Sequence, residues 1–452
     1  MRQAHATAAI LSIGDELTLG QTLDTNSKWV SERLVEFGIV PVEHTTVPDD
    51  LDAQAAAFKR LSERAELVIC TGGLGPTADD LTRAALAAAL GCPLVEDEIA
   101  LAGIEAFFEA RGRSMPVNNR TQAQRPAIAM SLPNLCGTAP GLAATFPNQC
   151  DVFCVPGPPS ELRSMFQHQV VPRLRPRAGV NVLTRCLHCF AIGESELAQR
   201  LGSLMDRDRN PLVGTTASGG VVSCRIRYEG TEALAHASSL MAETEREVRA
   251  RAGSHVFGSD GQTLQEAVVL ALTKLGAKLG TVESCTGGLV SRLITDVPGS
   301  STVFRGGLVC YSNDLKVSLA GVEESLLRPD GPGAVSPEVV SAMARGGLER
   351  LGADICIAVT GIAGPGGAVP SRGDSPAKPV GLVFVGVAMR PELAAKIGAA
   401  ELDTRAFRHM DDRVAVREWS AKCGLAMVWF ALTGAQGVRM LRQIEWPPAS
   451  KL

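Results

Sequence analysis

Residues 281–292 read TVESCTGGLVSR, which puts Ser284, Cys285 and Thr286 on one corner between two apolar runs. An activated hydroxyl or a thiolate there would make a covalent nucleophile. The plain alternative is that Ser284 or Thr286 caps a helix while Gly287 and Gly288 permit tight packing. A strand-to-helix corner also exposes backbone N–H groups that favour anions. In RGGLVCYSNDLKVSLAGV, Tyr311 and Lys316 follow a strand five residues apart. A lysine with a lowered pKa serves a serine as base, and a surface lysine beside a half-buried tyrosine is the bland reading. ICIAVTGIAGPGG ends in Thr360, Gly361 and a glycine-proline loop through Gly364, suited to close approach of a ligand or to a simple turn. Arg405, Arg408, Arg413 and Arg417 precede the last helical pattern; Arg413 and Arg417 are one turn apart and can clamp a phosphate or face solvent. Ligands of α/β sheets gather beyond the carboxyl ends of strands, where all these residues fall. Together they suggest acyl-type hydrolysis of an anionic substrate.

A second constellation lies near the start, in SIGDELTLGQTLDTNS and CTGGLGPTADDLTRAAL. The latter reads as a strand, a glycine corner and a helix with Asp79 and Asp80 in its first turn. Backbone N–H groups of residues 71–75, with Gly72, Gly73 and Gly75, can wrap a phosphate. Carboxylates beside a phosphate usually imply a metal between them. Otherwise the two aspartates favour the helix N-terminus.

The elements that must position these residues follow a βα rhythm. AAILSIG, VEHTTVP, ELVICTGG and VFCVPG read as strands, separated by the helical patterns NSKWVSERLVEFG, AQAAAFKRLSERA and DDLTRAALAAALG, which predicts βαβ units on a parallel sheet. From about 175 to 258 strands LTRCLHCFAIG, NPLVGTTASGG and VVSCRIRYEG with two helices predict a small α+β module. SHVFGSDGQT is read as a hinge, after which βα alternation resumes. The boundaries are 1–172, 173–258 and 259–452. At 452 residues, 45% hydrophobic and 20% charged, the chain has the balance of a soluble multidomain protein. A net charge of -4 and 4% aromatics argue against nucleic-acid binding. The N-terminus lacks a secretory pattern, no run suits a membrane span, and the twelve cysteines read as reduced and mostly buried, so a cytoplasmic protein is expected. Cys186 and Cys189 have CxxC spacing without a second pair and read as core rather than as metal ligands.

ESCTGGLVSRLIT, VPGSSTVFRGGLVCYSNDLKV, GAVSPEVV, VTGIAGPGG and KPVGLVFVGVA resemble the C-terminal domain of the CinA family, a nicotinamide mononucleotide deamidase. That resemblance implies Ser284 as nucleophile with Lys316 and Tyr311 as activating partners, a pocket including Thr360, and a phosphate contact from Arg413 or Arg417. Cys285 becomes a neighbour, and no cofactor is needed. Two departures stand out: AVPSRGDSPA is inserted at 368–377, and Asp411 stands where the family tends to have glycine. With NNRTQAQRPAIAMSLPNLCGTAPG and VFCVPGPPSELRSM, the N-terminal half is similar to the molybdopterin-binding fold as CinA proteins carry it. There the likeness implies a metal-dependent ADP-ribose pyrophosphatase. Asp80 is the leading catalytic or divalent-metal ligand, followed by Asp49, Asp15 and Glu16. Gly72, Gly73 and Gly75 hold phosphates, and Asn119, Arg120, Thr138 and the 156–159 loop line the cleft. The central module resembles the family's KH-type domain, with a role in packing and dimerisation. The expected whole is two α/β domains joined by an α+β module. Its partners are nicotinamide mononucleotide, ADP-ribose and a second copy of the chain, without nucleic acid or membrane. A nucleotide- or molybdopterin-binding regulator of competence or damage response is the alternative.

Overall fold

The computed structural model describes residues 3–365 and 378–447, so the insertion at 368–377 lies outside the described residues. The chain divides into two compact units, residues 1–184 with 228–239, and 185–227 with 240–452.

In the first unit, strands β1 (Thr7–Ile13), β2 (Val40–Val47), β3 (Leu67–Thr71), β4 (Met130–Leu132), β5 (Gly141–Thr145) and β6 (Asp151–Val155) form one sheet in the order β2-β1-β3-β6-β5-β4. The first four in that order run parallel, as the rhythm predicts, whereas β5 and β4 return antiparallel. The crossovers are helices α1 (Thr25–Glu36), α2 (Leu51–Ser62) and α3 (Thr82–Leu90). Both sheet faces are covered, which is why β3 and β6 are apolar almost throughout. Helix α3 starts at Thr82, not at Asp79. Asp79 and Asp80 therefore belong to the loop, because Asp80 accepts from that loop's amides.

In the second unit, β7 (Asn181–Phe190), β8 (Leu212–Ser218), β9 (Val221–Gly230) and β10 (Val256–Ser259) make a four-stranded sheet in the order β8-β9-β7-β10, accompanied by α4 (Glu194–Leu201) and α5 (Leu234–Ala252); the ends of this sheet reach into the first unit's residues. The stretch expected as a hinge is strand β10, pairing antiparallel with β7. Its glycines allow the irregular register there, and the following turn ends in a Thr263–Glu266 capping box that opens α6 (Leu264–Leu275). The Cys186 and Cys189 spacing falls on β7, where Cys189 is fully buried. Among the described residues no three His, Cys, Asp or Glu side chains form a metal cage.

The last sheet comprises β11 (Leu279–Glu283), β12 (Phe304–Val309), β13 (Ile355–Gly361), β14 (Leu382–Met389), β15 (Leu402–Arg408) and β16 (Gln443–Ile444), in the order β12-β11-β13-β14-β15-β16. β12, β11 and β13 are parallel; from β14 onward pairing is antiparallel. Helices α7 (Leu289–Thr295), α8 (Asn313–Ser318), α9 (Pro337–Leu351) and α10 (Arg413–Leu432) complete the layers, with apolar clusters on both faces. Among the described residues no helix is long and apolar enough to cross a membrane.

Candidate active sites

Ser284 follows β11, and its amide donates to Val359 O on β13. The sharp return is made by Gly287 and Gly288, both in the left-handed region, where a side chain would be strained. Neither Ser284 nor Thr286 caps α7. The cap is Glu283, whose fully buried carboxylate accepts from the amides of Gly288 (2.9 Å), Val290 (3.0 Å) and Ser291 (2.8 Å) and from Ser291 Oγ (2.8 Å). The helix N-terminus is thus filled by the chain's own anion and does not await a ligand. Among the described residues, Ser284 Oγ makes no hydrogen bond, Thr286 Oγ is buried without a partner, and the amides of Cys285 and Thr286 have no acceptor. The corner keeps two hydroxyls and two donors uncommitted.

Lys316, on α8, is 2% exposed. Its Nζ donates to Cys310 O (2.9 Å) and Tyr311 O (3.0 Å). Burial holds its pKa below the ordinary lysine range, against the opposing pull of Cys310, Cys285 and Asp314. A neutral amine donating twice has a lone pair at its remaining tetrahedral position. Burial disfavours a thiolate at Cys285. Burial pushes its thiol up to about 12, and Glu283 adds to the rise while Arg417 and Lys316 oppose it.

Tyr311 is 60% exposed, and its hydroxyl accepts from Arg413 Nη2 at 3.2 Å. Its side chain thus joins the arginine while its carbonyl holds Lys316. Arg417 Nη2 donates to Thr286 O at 2.8 Å. A Cβ on Gly364 would lie 3.2 Å from Arg413 Nη1, so that glycine permits the arginine's approach. Arg417 and Lys316 therefore reach the 284–288 corner, while Tyr311, Gly364 and Arg413 meet one another one helical turn before Arg417. Other expected members are turned elsewhere. Thr360 Oγ donates to Ala334 O (2.8 Å), anchoring the 332–334 segment, and Gly361 packs against β14. Arg405 is spent on Asp403 and on the carbonyls of Gln436 and Val438. Asp411 is ion-paired with Arg442, which offsets its charge.

In the first unit a cleft of about 390 Å³ opens at the carboxyl ends of β1, β3 and β6. Gly72 is required there, since a Cβ would sit 2.3 Å from Ile13 O. Glu16, Asp49, Asp79, Asp80 and Glu161 line the cleft with Thr138 and Pro156 to Pro158, and among the described residues no lysine, arginine or histidine joins them. Asp80 accepts from the amides of Gly75 (2.7 Å) and Thr77 (2.8 Å) and from the Thr77 hydroxyl, shaping the loop. Asp49 and Asp15 exchange backbone-to-carboxylate bonds of 2.9 and 3.1 Å. Burial first, then the charges of Asp15, Glu16 and Asp79, raise the Asp49 pKa despite the Asp15 amide. Crowded carboxylates of this kind fit a divalent cation, whose charge would relieve their repulsion. With no closed cage among the described residues, phosphate oxygens and water would complete its coordination.

Two expected liners stand back from this cleft. Arg120 forms a two-pronged pair with Glu96 at 2.6 and 2.7 Å, and Asn119 is buried against Gln122 at 2.8 Å. Sequence reasoning missed Gln122, Glu161 and Arg83. Arg83 is 4% exposed and donates to Leu74 O (2.6 Å) and Gly75 O (3.2 Å) from behind the loop. Burial brings its pKa down to about 10, opposed by Asp80, so it stays charged at neutral pH. An arginine on the buried face of the alanine-rich α3 was the available signal. Glu283 was missed too, although it stands beside the serine in the quoted corner.

Comparison with known proteins divides the chain in three. Residues 9–176 match the probable molybdopterin binding domain, 184–258 the damage-inducible protein CinA KH domain, and 261–432 the CinA C-terminal domain. A competence-damage inducible protein of Symbiobacterium thermophilum is 42% identical over 430 residues, covering 94% of this chain and 99% of that one. A CinA-like protein of Synechococcus sp. is 42% identical over 381 residues, 84% of this chain and 89% of its own. A solved competence/damage inducible protein from Agrobacterium tumefaciens is 36% identical, covering 38% of this chain and 93% of that one, with a TM-score of 0.32. Matched along nearly its whole length by relatives of this identity, the chain belongs to the CinA family of competence/damage-inducible proteins.

Proposed function

We propose that the second unit is a nicotinamide-nucleotide amidohydrolase, converting nicotinamide mononucleotide and water to nicotinate mononucleotide and ammonia. The observation that carries this reading is Lys316: an almost fully buried lysine with lowered proton affinity, held by the carbonyls of Cys310 and Tyr311 and interacting electrostatically with Cys285, the residue after a serine that caps nothing. Ser284 Oγ attacks the carboxamide carbon as Lys316 Nζ takes its proton. The oxyanion is met by the amides of Cys285 and Thr286. The C–N bond then breaks, the lysine proton leaves with ammonia, and an acyl-serine remains. Water, deprotonated by Lys316, attacks the ester carbon; the C–O bond breaks and the proton returns to the serine. Arg413 and Arg417 supply positive charge for the substrate phosphate.

The acidic cleft of the first unit supports a second activity, metal-dependent ADP-ribose pyrophosphatase. Among the described residues no three of the cleft's carboxylates come together around one point, so Asp80 or Asp49 with Glu16 beside it would hold a divalent cation only jointly with a diphosphate, for which the cation supplies charge neutralisation. The Gly73 and Leu74 amides, without an acceptor among the described residues, would orient the phosphates, whereas those of Gly72 and Gly75 are taken by Val155 O and Asp80. We place the protein in the cytoplasm, acting on small nucleotides as a homodimer.

The test is ammonia release from nicotinamide mononucleotide in excess chelator by wild type, Ser284→Ala and Cys285→Ala. Activity that survives chelator and Cys285→Ala but disappears in Ser284→Ala is expected. An inactive wild type overturns the reading.

A further inference from the structure

Among the described residues Glu283 is the one carboxylate with no solvent exposure, and a buried charge is retained only where it is fully hydrogen-bonded. Four donors meet it, three of them amides of the turn into α7. Its side chain thereby holds the far side of the corner. Its main chain holds the near side: Glu283 O accepts from Cys310 N at 2.8 Å, and Cys310 O is one of the two carbonyls that fix Lys316 Nζ. One residue thus ties the nucleophile's turn and the base's strand to the same point.

The choice of capping group matters chemically. A serine or threonine cap would have spent the hydroxyls the corner needs, and a shorter acid would not span from β11 to Ser291. Because the carboxylate comes from the strand side, Ser284 Oγ, Thr286 Oγ and the amides of Cys285 and Thr286 are left without partners among the described residues.

We propose that Glu283 is a positioning residue for the acyl-transfer step: it fixes the 284–288 corner so that the Cys285 and Thr286 amides and the Ser284 hydroxyl converge on one carbonyl in register with Lys316. This rests on the deamidase reading. A glutamine at 283 would present an NH2 group to amides that are themselves donors, loosening the corner while leaving Ser284, Lys316 and both arginines in the chain.

The experiment measures kcat and KM for ammonia release by full-length wild type, Glu283→Gln and Ser291→Ala, with the folded fraction of each followed by near-ultraviolet circular dichroism. Loss of oxyanion alignment costs about 100-fold or more in kcat. Glu283→Gln is expected to lose that much with KM within about threefold of wild type, as binding groups are untouched. Ser291→Ala removes one of the four bonds and is expected to lose about threefold to tenfold in kcat by the same reasoning. If Glu283→Gln fails to fold, Ser291→Ala carries the test alone. A kcat that falls only in step with the folded fraction, or is unchanged in Ser291→Ala when Glu283→Gln does not fold, overturns the proposal. An active wild type with a normal kcat in Glu283→Gln sinks this proposal alone, whereas an inactive wild type sinks the deamidase reading and this with it.

Discussion

The two candidate sites solve opposite electrostatic problems. The cleft of the first unit is lined by five carboxylates and no cation, so an anionic ligand cannot stay there without a positive charge brought from outside. In the corner of the second unit Glu283 is buried and saturated, Asp314 stands near Lys316 and Asp412 caps the helix of Arg413, and the chain supplies Lys316, Arg413 and Arg417 as cations. Both sit where parallel strands end beside a glycine turn, the standard location for ligands in such sheets. On the proposed reading, what separates them is where the charge comes from: a recruited metal in one, the chain's own side chains in the other.

The sharpest break of that contrast is at Lys316. Lys316→Ala is expected to lower kcat for ammonia release by about 10³-fold, within the range of a lost general base. Lys316→Arg should not rescue it, since a guanidinium does not give up its proton near neutrality. An arginine variant with more than a tenth of wild-type activity would show that charge, not proton transfer, is what position 316 supplies. Because burial lowers the Lys316 pKa, the neutral base is regained at lower pH than for an exposed lysine. The activity should therefore fall as pH drops through that lowered value, and a profile rising only in the ordinary lysine range would contradict the burial argument.

Chelation draws the same line from the other side. Excess chelator is expected to abolish ADP-ribose hydrolysis and to leave ammonia release within about twofold, as metal is assigned to one site only. Asp80→Asn keeps an acceptor for the loop amides but halves the carboxylate's capacity, and about 10²-fold loss of ADP-ribose hydrolysis is expected. Equal loss of both activities under chelator would erase the distinction.

Much of this was legible in the residues. The βα rhythm gives β1 and β3 and the helices beside them because covered parallel strands are apolar almost throughout, a signal carried within each segment. The antiparallel halves were not legible, because the direction of β5 or β14 depends on what it pairs with after a loop. The glycine corner before α7 was readable, since only the backbone conformation demands those residues. Glu283 was hidden because an acid on a buried strand normally contradicts burial, and only the turn folding back onto it supplies the donors. Asn119 and Arg120 failed for the converse reason: motif proximity places a residue near a cleft, but Gln122 and Glu96 decide where its side chain is spent.

Smaller effects separate binding from chemistry at the second site. Arg413→Ala removes a charge that approaches Gly364 and donates to Tyr311, without touching Ser284 or Lys316. Loss of a charge-assisted contact of about 1.5–3 kcal/mol corresponds to a rise in KM of about 10-fold to 100-fold. The kcat should stay within about threefold if the interaction is equal in ground and transition states. Steady-state kinetics on nicotinamide mononucleotide would check this, and a kcat-only effect would move Arg413 into the chemistry.

The last contrast concerns acid. In the first unit Asp151 is buried among His5, Arg175 and the Thr145 hydroxyl. These partners overcome its burial and bring its pKa from 3.8 to about 2. In the second unit His409 is 2% exposed with Nδ1 unpartnered, between Phe407 and Trp419. Burial, aided by Arg442 and opposed by Asp411, brings it from 6.5 to about 4. For both groups the unfolded chain binds the extra proton, so both lose stability as pH falls. The windows differ: His409 acts between pH 6.5 and about 4, and Asp151 only between 3.8 and about 2. The full shifts correspond to about 3 kcal/mol for the histidine and about 2 kcal/mol for the aspartate. The second unit should accordingly weaken first on acidification. Trp419, whose ring is 6.4 Å from His409, offers a local fluorescence reporter. In urea melts monitored at this tryptophan between pH 7 and 4.5, the second unit's midpoint should fall in wild type and fall less in His409→Gln. Parallel slopes in the two proteins would mean that the acid sensitivity lies elsewhere in that unit.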